Sequence, residues 1–529
     1  GICSQCHCNF DLQMISLPTD PVLTCEQSLD FEQEFFESDT EREWQMMTRA
    51  GEGIGDALLR DMRELRTIPH RPRILTLVGK GHNGGDALIA TKRFLRTIPT
   101  AKAVLLPLEP WQDCRPLTQR AWEELNELAG KRLQVIDPSP DSLAELEKIT
   151  EEGSFHAMVD GWLGIQAKLP LRDPIPSLIR WINQSDKVAV RASVDLPTGV
   201  TGQGTENPLR VDFTYCTGIV KEPVLDPVNA EFVGRIRYLD LGFFQAMKKP
   251  EINQRVLRPS ALQTLRRLRS VQGDKRSHGH LFLLAGSREL GGAALMAAEA
   301  SLKAGVGLLT VGIPESLHAS FVAQLPEAMW IPLPETPNGC LALEGLGKIR
   351  QFTNRASAFA AGPGLGVEKE TFALVRELGN FFKGPVLLDA DAIQAEILEK
   401  IIDLKRVVIT PHAGELKRIV DQVSRDEWIS QQDCTLVLKG SHTQIWSSQN
   451  CIFSLGGSSA LARGGSGDIL TGILGALLAK NSHSIPDSCC LGVQWHGRAA
   501  EVLARQHGQE SIRTTEILSY LSFALRNDF

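Results

Sequence analysis

The chain has 529 residues, 43% hydrophobic and 22% charged, close to a globular average, which excludes a disordered or fibrous protein. With 56 basic against 63 acidic residues the net charge is −7, which disfavours a general nucleic-acid footprint and leaves room only for a local patch. No run approaches the roughly 18 apolar residues that a membrane helix needs, and no partner of either kind is expected.

The first 25 residues hold Cys3, Cys6, Cys8 and Cys25, four of eleven cysteines. No second CxxC or HxxxH half follows at zinc spacing, so 1–23 reads as a flexible tail rather than a metal knuckle. An odd cysteine count and the absence of a signal-peptide core lead to the expectation of a cytoplasmic protein.

From residue 73 short apolar runs alternate with amphipathic stretches. Ile74–Val78 reads as a buried strand and Asp86–Leu95 as a helix; Ala103–Leu108, Gln134–Asp137, Ala157–Asp160 and Val188–Asp195 read as further strands. The alternation predicts an α/β fold with a parallel sheet covered by helices. Around Phe243–Pro259 the pattern breaks in a polar stretch with Lys248, Lys249 and Pro250, so 246–259 is expected to be a linker between domains at 24–245 and 260–529.

A second alternating series begins at His280–Ala285 and continues through Gly307–Val311, Ala358–Ala361, Val386–Asp389, Val407–Thr410 and Thr435–Lys439. Leu416, Ile419, Val420 and Val423 fall at helical spacing between the last two strands.

Glycine numbers 46 residues, about 9% against an average near 7%. Position matters more than the excess. Val78-Gly-Lys-Gly-His-Asn-Gly-Gly-Asp86 joins a strand to a helix, where a tight turn and free N–H groups favour an anion. Asp160 and Asp195 each end a strand, and in an open parallel sheet these turns meet at one edge.

The motifs Gly-Lys-Gly-His-Asn-Gly-Gly-Asp, Val-Asp-Gly-Trp-Leu-Gly, Val-Asp-Leu-Pro-Thr-Gly and Thr214–Lys221, in that order, resemble the NAD(P)H-hydrate epimerase domain. The resemblance implies a Rossmann-like fold and a hydrated-nicotinamide site. That site would comprise His82, Asn83, Gly84, Gly85 and Asp86, the loop Gly164, Ile165, Gln166, Ala167, Lys168, Leu169 and Pro170, and Asp195 as general base. It also implies K+ held by Asn83, Asp160 and Thr198, with Lys221 a polar partner. The family usually has Asn where His82 stands and Ser where Thr198 stands; Thr198 keeps the hydroxyl oxygen, whereas His82 offers no amide.

In the second half, Leu461-Ala-Arg-Gly-Gly-Ser-Gly-Asp468 precedes an apolar helix read from Ile469 to Lys480. Such a helix start presents N–H groups to a transferring phosphoryl group, and Asp468 could accept the proton of the attacking hydroxyl. Gly286-Ser-Arg-Glu-Leu-Gly-Gly, Gly362-Pro-Gly-Leu-Gly366, Leu388-Asp-Ala-Asp-Ala, Thr410-Pro-His-Ala-Gly-Glu, Leu438-Lys-Gly-Ser-His-Thr443 and Trp495-His-Gly-Arg-Ala-Ala accompany it.

This series is similar to the ADP/ATP-dependent NAD(P)H-hydrate dehydratases, a ribokinase-like family. The similarity implies hydrate contacts at Ala293, Gly364, His412 and Asp468, and nucleotide contacts at Lys439, Gly440, Ser441, His442, Thr443 and Gly467. It implies Mg2+ organised through Glu415, with ADP or ATP as co-substrate, ADP being favoured by the fused layout. The expected protein is a homo-oligomeric bifunctional repair enzyme acting on NADHX and NADPHX. Two alternatives stay open, a catalytically silent N-terminal scaffold domain and a ribokinase-like kinase of a vitamin precursor.

Overall fold

A computed structural model describes residues 15–420 and 424–527. Cys3, Cys6, Cys8 and Val423 therefore lie outside the described residues. The chain divides into two compact units, one of residues 20–252 with 505–508, the other of 253–504 with the remaining termini. Residues 15–19, expected in the tail, group with the later unit.

The N-terminal unit opens with two helices, α1 (Cys25–Phe36) and α2 (Thr40–Asp61). Thr24 and Gln27 form a capping box at the start of α1, and Asp39 caps α2. Then strands and helices alternate: β1 (Arg73–Val78), α3 (His82–Thr97), β2 (Lys102–Pro107), α4 (Pro116–Ala129), β3 (Leu133–Val135), α5 (Ser142–Glu151), β4 (Ala157–Gly161), α6 (Ile175–Gln184) and β5 (Arg191–Val194). Two strands that the sequence reading did not assign, β6 (Phe213–Thr217) and β7 (Arg235–Leu239), complete the sheet.

The spatial order is β7-β6-β5-β4-β1-β2-β3, every pair parallel. The order reverses between β1 and β4, and the crevice beyond their carboxyl ends is where such sheets bind ligands. Both faces are covered, which is why β4 is buried at every residue.

The second unit contains β8 (Gln254–Leu257), β9 (His280–Leu284), α7 (Gly291–Lys303), β10 (Leu308–Pro314), β11 (Met329–Leu333), α8 (Gly345–Thr353), β12 (Ala358–Ala361), α9 (Lys369–Phe381), β13 (Val386–Leu388) and β14 (Val407–Ile409). The short α10 (Ala413–Leu416), β15 (Thr435–Leu438), β16 (Thr443–Ser447), β17 (Asn450–Ser454), α11 (Ser466–Lys480), α12 (Ile485–His507) and α13 (Ile517–Arg526) follow. The order runs β8-β17-β16-β15-β14-β13-β12-β9-β10-β11, antiparallel at β15–β16 and β16–β17 and parallel elsewhere.

Two expectations need correction. The stretch 246–259 holds strand β8, paired with β17. The helical spacing at Leu416 belongs to a single turn ending there, because Leu416 and Ile419 bury into the core from a turn rather than from a continuous helix. A further strand, β11, carries Pro332, which its place at the sheet edge tolerates.

Candidate functional site

In the N-terminal unit the glycine turn is fixed by close backbone approach. Gly79 N–H donates to Gly161 O at 3.0 Å. A Cβ on Gly84 would lie 1.9 Å from Gly79 O, and one on Gly161 2.4 Å from Asn83 O, so side chains are excluded at both. The turn ends on Gly81, the N-cap of α3, and the first amides of α3 face the switch-point crevice.

The crevice collects most of the predicted residues. Asn83 Nδ2 donates to Val194 O at 3.2 Å and Leu163 O at 3.4 Å, and a Cβ on Gly164 would sit 3.5 Å from the Asn83 side chain. Asp160 accepts from Thr198 Oγ1 at 2.8 Å, Thr198 N at 2.8 Å and Trp162 N at 3.2 Å. Burial, opposed by those hydrogen bonds, pushes the Asp160 carboxyl up to about 6. Asp160 and Thr198 are thus joined directly, while the Asn83 amide is engaged with main-chain carbonyls instead. A buried carboxylate without a cation, beside a hydroxyl and several carbonyl oxygens, fits a hard monovalent ion.

Asp195, at the end of β5, has φ 61°, a left-handed conformation unusual for a non-glycine residue. The turn aims its carboxylate at β6. There Thr217 N and Oγ1 donate to Oδ1 at 2.8 and 2.9 Å, and Lys221 Nζ lies 2.9 Å from Oδ2. Lys221 is 1% exposed. Burial alone would lower its ammonium, but Asp195 and Glu32 more than offset this and raise it above the usual lysine range.

His82 turns to Glu43 on α2, 3.2 Å away, and burial lowers its imidazole below the usual value, with Glu43 opposing. A pocket of about 900 Å³ is walled by Ile165, Gln166, Ala167 and Lys168 on one side. Cys25 and Leu29 of α1, with Gly202, form the other side. The α1 wall was missed by sequence reading because it carries no motif, only an amphipathic period.

The second unit repeats the logic at the β9/β12 switch point. Gly286 N–H donates to Pro363 O at 2.8 Å, which ties the two glycine loops together. Gly364 has φ 63°, and a Cβ on it would stand 3.0 Å from Ala293 Cβ, so these two predicted hydrate contacts are neighbours.

Asp468 lies in the first turn of α11 after Gly465, whose φ is 89°. Burial, then the charge of Asp389, push the Asp468 carboxyl up to about 7; Lys439 opposes, and Asp391 and Glu415 add to the rise. Asp389, at the end of β13, accepts from Thr410 Oγ1 at 2.7 Å, Lys439 Nζ at 2.9 Å and Thr471 Oγ1 at 2.7 Å. The next residue, Ala390, has φ 48°. Lys439 also approaches Glu415 Oε2 at 3.7 Å, and a Cβ on Gly467 would be 3.4 Å from Lys439 Nζ.

His412 and Lys439 pair across a parallel bridge. His412 Nδ1 accepts from Gly414 N at 2.9 Å and Glu415 N at 3.2 Å, so His412 caps α10 and leaves Nε2 toward solvent and Glu415. The nucleotide stretch Lys439–Thr443 forms the turn from β15 into β16. Lys439 lies between Asp389 and Glu415, and among the described residues no three His, Cys, Asp or Glu side chains converge as a metal site, so a divalent ion there would be held largely through water. Asp389 and Thr471 were not singled out from sequence, although the Leu-Asp-Ala-Asp-Ala motif at a strand end carried the signal. His496 is buried and neutral, its imidazole lowered to about 4 by burial and by Lys439.

Comparison with known proteins bears on both halves. Residues 281–522 match the NAD(P)H-hydrate dehydratase family model, and residues 43–222 match the YjeF-related N-terminal model. The bifunctional NAD(P)H-hydrate repair enzyme Nnr of Gloeobacter violaceus is 34% identical over 461 residues, 82% of this chain and 85% of that one. The chain belongs to the bifunctional NAD(P)H-hydrate repair enzyme family.

The Synechocystis enzyme of the same name is 30% identical, covering 86% of each chain. Among solved structures, the ADP/ATP-dependent NAD(P)H-hydrate dehydratase of Bacillus subtilis, co-crystallised with ATP and Mg2+, is 27% identical. It covers 51% of this chain and 96% of its own, with a TM-score of 0.43. No described helix is long and apolar enough to cross a membrane.

Proposed function

We propose the following division of labour for this bifunctional NAD(P)H-hydrate epimerase and dehydratase. The N-terminal unit interconverts the R and S hydrates of NADH and NADPH, with the hydrate in the β1/β4 crevice and Asp195 as base. The second unit dehydrates the S form using ADP or ATP, with the hydrate at Ala293, Gly364, His412 and Asp468. The nucleotide lies along Lys439, Gly440, Ser441, His442, Thr443 and Gly467. Asn83, Asp160 and Thr198 would hold K+, and Glu415 would help organise Mg2+ through water, the ion supplying charge neutralisation at the phosphates.

The chemistry follows from the hydrate. Its hydroxyl stands on a ring carbon beside nitrogen, and hydroxide is a poor leaving group. Asp468 takes the hydroxyl proton as the oxygen attacks the terminal phosphoryl group, and the amides at the start of α11 with Lys439 stabilise the developing charge. The ring nitrogen then helps expel phosphate, leaving an iminium, and loss of a proton from the neighbouring ring carbon forms the second C=C bond of the reduced nicotinamide.

The observation that carries the dehydratase assignment is Asp468, with a carboxyl near neutrality at a glycine-flanked helix start beside Lys439. A cytoplasmic setting and a homo-oligomer are part of the reading.

The test is direct. Purified protein receives both hydrate epimers with Mg2+ and either ADP or ATP, and absorbance of the reduced nicotinamide is followed. Full recovery supports both activities; a halt at one epimer shows a silent N-terminal unit, and no recovery with either nucleotide overturns the reading.

A further inference from the structure

Three carboxyl side chains share one ammonium in the N-terminal unit. Asp195 is satisfied by Thr217 and Lys221. Glu32, half-buried on α1, takes a hydrogen bond from Ser28 at 3.3 Å. Asp86, the fifth residue of α3, is 7% exposed, and its carboxyl has no hydrogen-bond or ion-pair partner among the described residues.

An ionised carboxylate buried without a donor is costly, and one lysine cannot neutralise three. Burial first, then the charges of Asp195 and Glu32, push the Asp86 carboxyl well above the usual range, with Lys221 opposing. Glu43 and His82, paired with each other, with Arg115 near His82 and Glu222 beside Lys221, are further charged groups near this cluster. A buried carboxyl without a partner, near a second carboxylate that is fixed by lysine and threonine, is an arrangement that acid–base chemistry can use.

We propose that Asp86 is the general acid of the epimerase site, donating its proton to the hydroxyl oxygen of the hydrate while Asp195 serves the opposite face. This rests on the reading of Asp195 as base. The proton passes from Asp86 to the hydroxyl oxygen. The carbon–oxygen bond breaks with its electron pair on oxygen, which leaves as water, and the ring-nitrogen lone pair forms the second bond to that carbon. Water adds to the other face, nitrogen recovers its pair, and the extra proton goes to the Asp195 carboxylate. For the other epimer the two carboxyls exchange roles, and exchange with solvent resets them.

The experiment uses the full chain without nucleotide, so that dehydration is silent, starting from one purified NADPHX epimer and separating the two by chromatography. Asp86→Asn is expected to lower kcat for interconversion by about 100-fold or more, with KM within about threefold. Asp86→Glu is expected to recover part of that loss. Unchanged kcat, or a rise in KM alone, overturns the proposal. Asp195→Asn run alongside separates the two assignments: loss there with full activity in Asp86→Asn sinks the acid and keeps the base. If Asp86→Asn does not fold, the wild-type profile decides. A rate that falls as rising pH ionises Asp86 supports the proposal, and a flat profile overturns it.

Discussion

Lys221 Nζ sits 2.9 Å from Asp195 Oδ2, and the lysine is 1% exposed. The pair fixes a carboxylate that the left-handed backbone of Asp195 has already turned toward β6. Removing one partner leaves the other buried and uncompensated, so Lys221→Met is expected to destabilise the N-terminal unit by about 3–5 kcal/mol. Denaturant unfolding measures this. The sign of the pH dependence follows from the raised ammonium. The stabilisation is complete below the ordinary lysine value, so it is constant through neutrality and lost only as pH rises above the usual lysine range.

Asp468 sets the acidic limb of dehydration. Its carboxyl titrates near 7 and acts as a base only when ionised, so kcat is expected to fall as pH drops through that value. Asp468→Asn should abolish dehydration and remove the limb while nucleotide binding, read by calorimetry, persists. A variant with full turnover would show that another group takes the proton.

Asp389 acts through its neighbours. It anchors Lys439 and Thr471 and is the second cause, after burial, of the raised Asp468 carboxyl. Asp389→Asn removes that negative charge, so the acidic limb is expected to move to lower pH and kcat to fall. A limb that stays near 7 would show that burial alone sets it.

How much of this was legible in the sequence depended on whether a signal was local. Most parallel strands between Ile74 and Val437 were readable as continuous apolar runs, whereas β6, β7 and β11 were not, because Thr214, Arg235, Arg237 and Pro332 interrupt their apolar character. β16 and β17 were not, because Thr443–Ser447 and Asn450–Ser454 mix polar and apolar residues in a hairpin of only moderate contrast. The glycine turns and strand-end aspartates were visible as motifs. The Lys221–Asp195 pair spans 26 residues and Thr471–Asp389 82, and only the sheet order brings them together. His412 shows the reverse case, a motif residue whose own geometry in the fold is that of a helix cap.

Asp160 links pH to cation binding. Its folded-state carboxyl, near 6, is raised above the unfolded value, so the folded chain carries an extra proton between the ordinary aspartate value of 3.8 and about 6. Its contribution to stability is present at low pH and is lost as pH rises through 6, where a bound cation would compensate. KCl is therefore expected to raise the melting temperature of the N-terminal unit at pH 7.5 and to lose most of that effect at pH 5. An equal concentration of choline chloride should do neither. The same shift in Asp160→Asn would place the ion elsewhere.

Gly84 tests the turn itself. A Cβ there would stand 1.9 Å from Gly79 O and 2.8 Å from its carbon, both main-chain atoms that no rotamer change can move aside. Gly84→Ala must therefore displace either the start of α3 or the turn before it, and such overpacking costs about 1–3 kcal/mol. The displaced amides are those that face the crevice, so interconversion of the hydrates should fall along with stability. Dehydration depends on a separate sheet with its own glycine loops, and in the same variant it should be retained. A matched loss of both activities would mean that the two units do not fold independently, whereas unaltered interconversion would show that the hydrate does not rest on this turn.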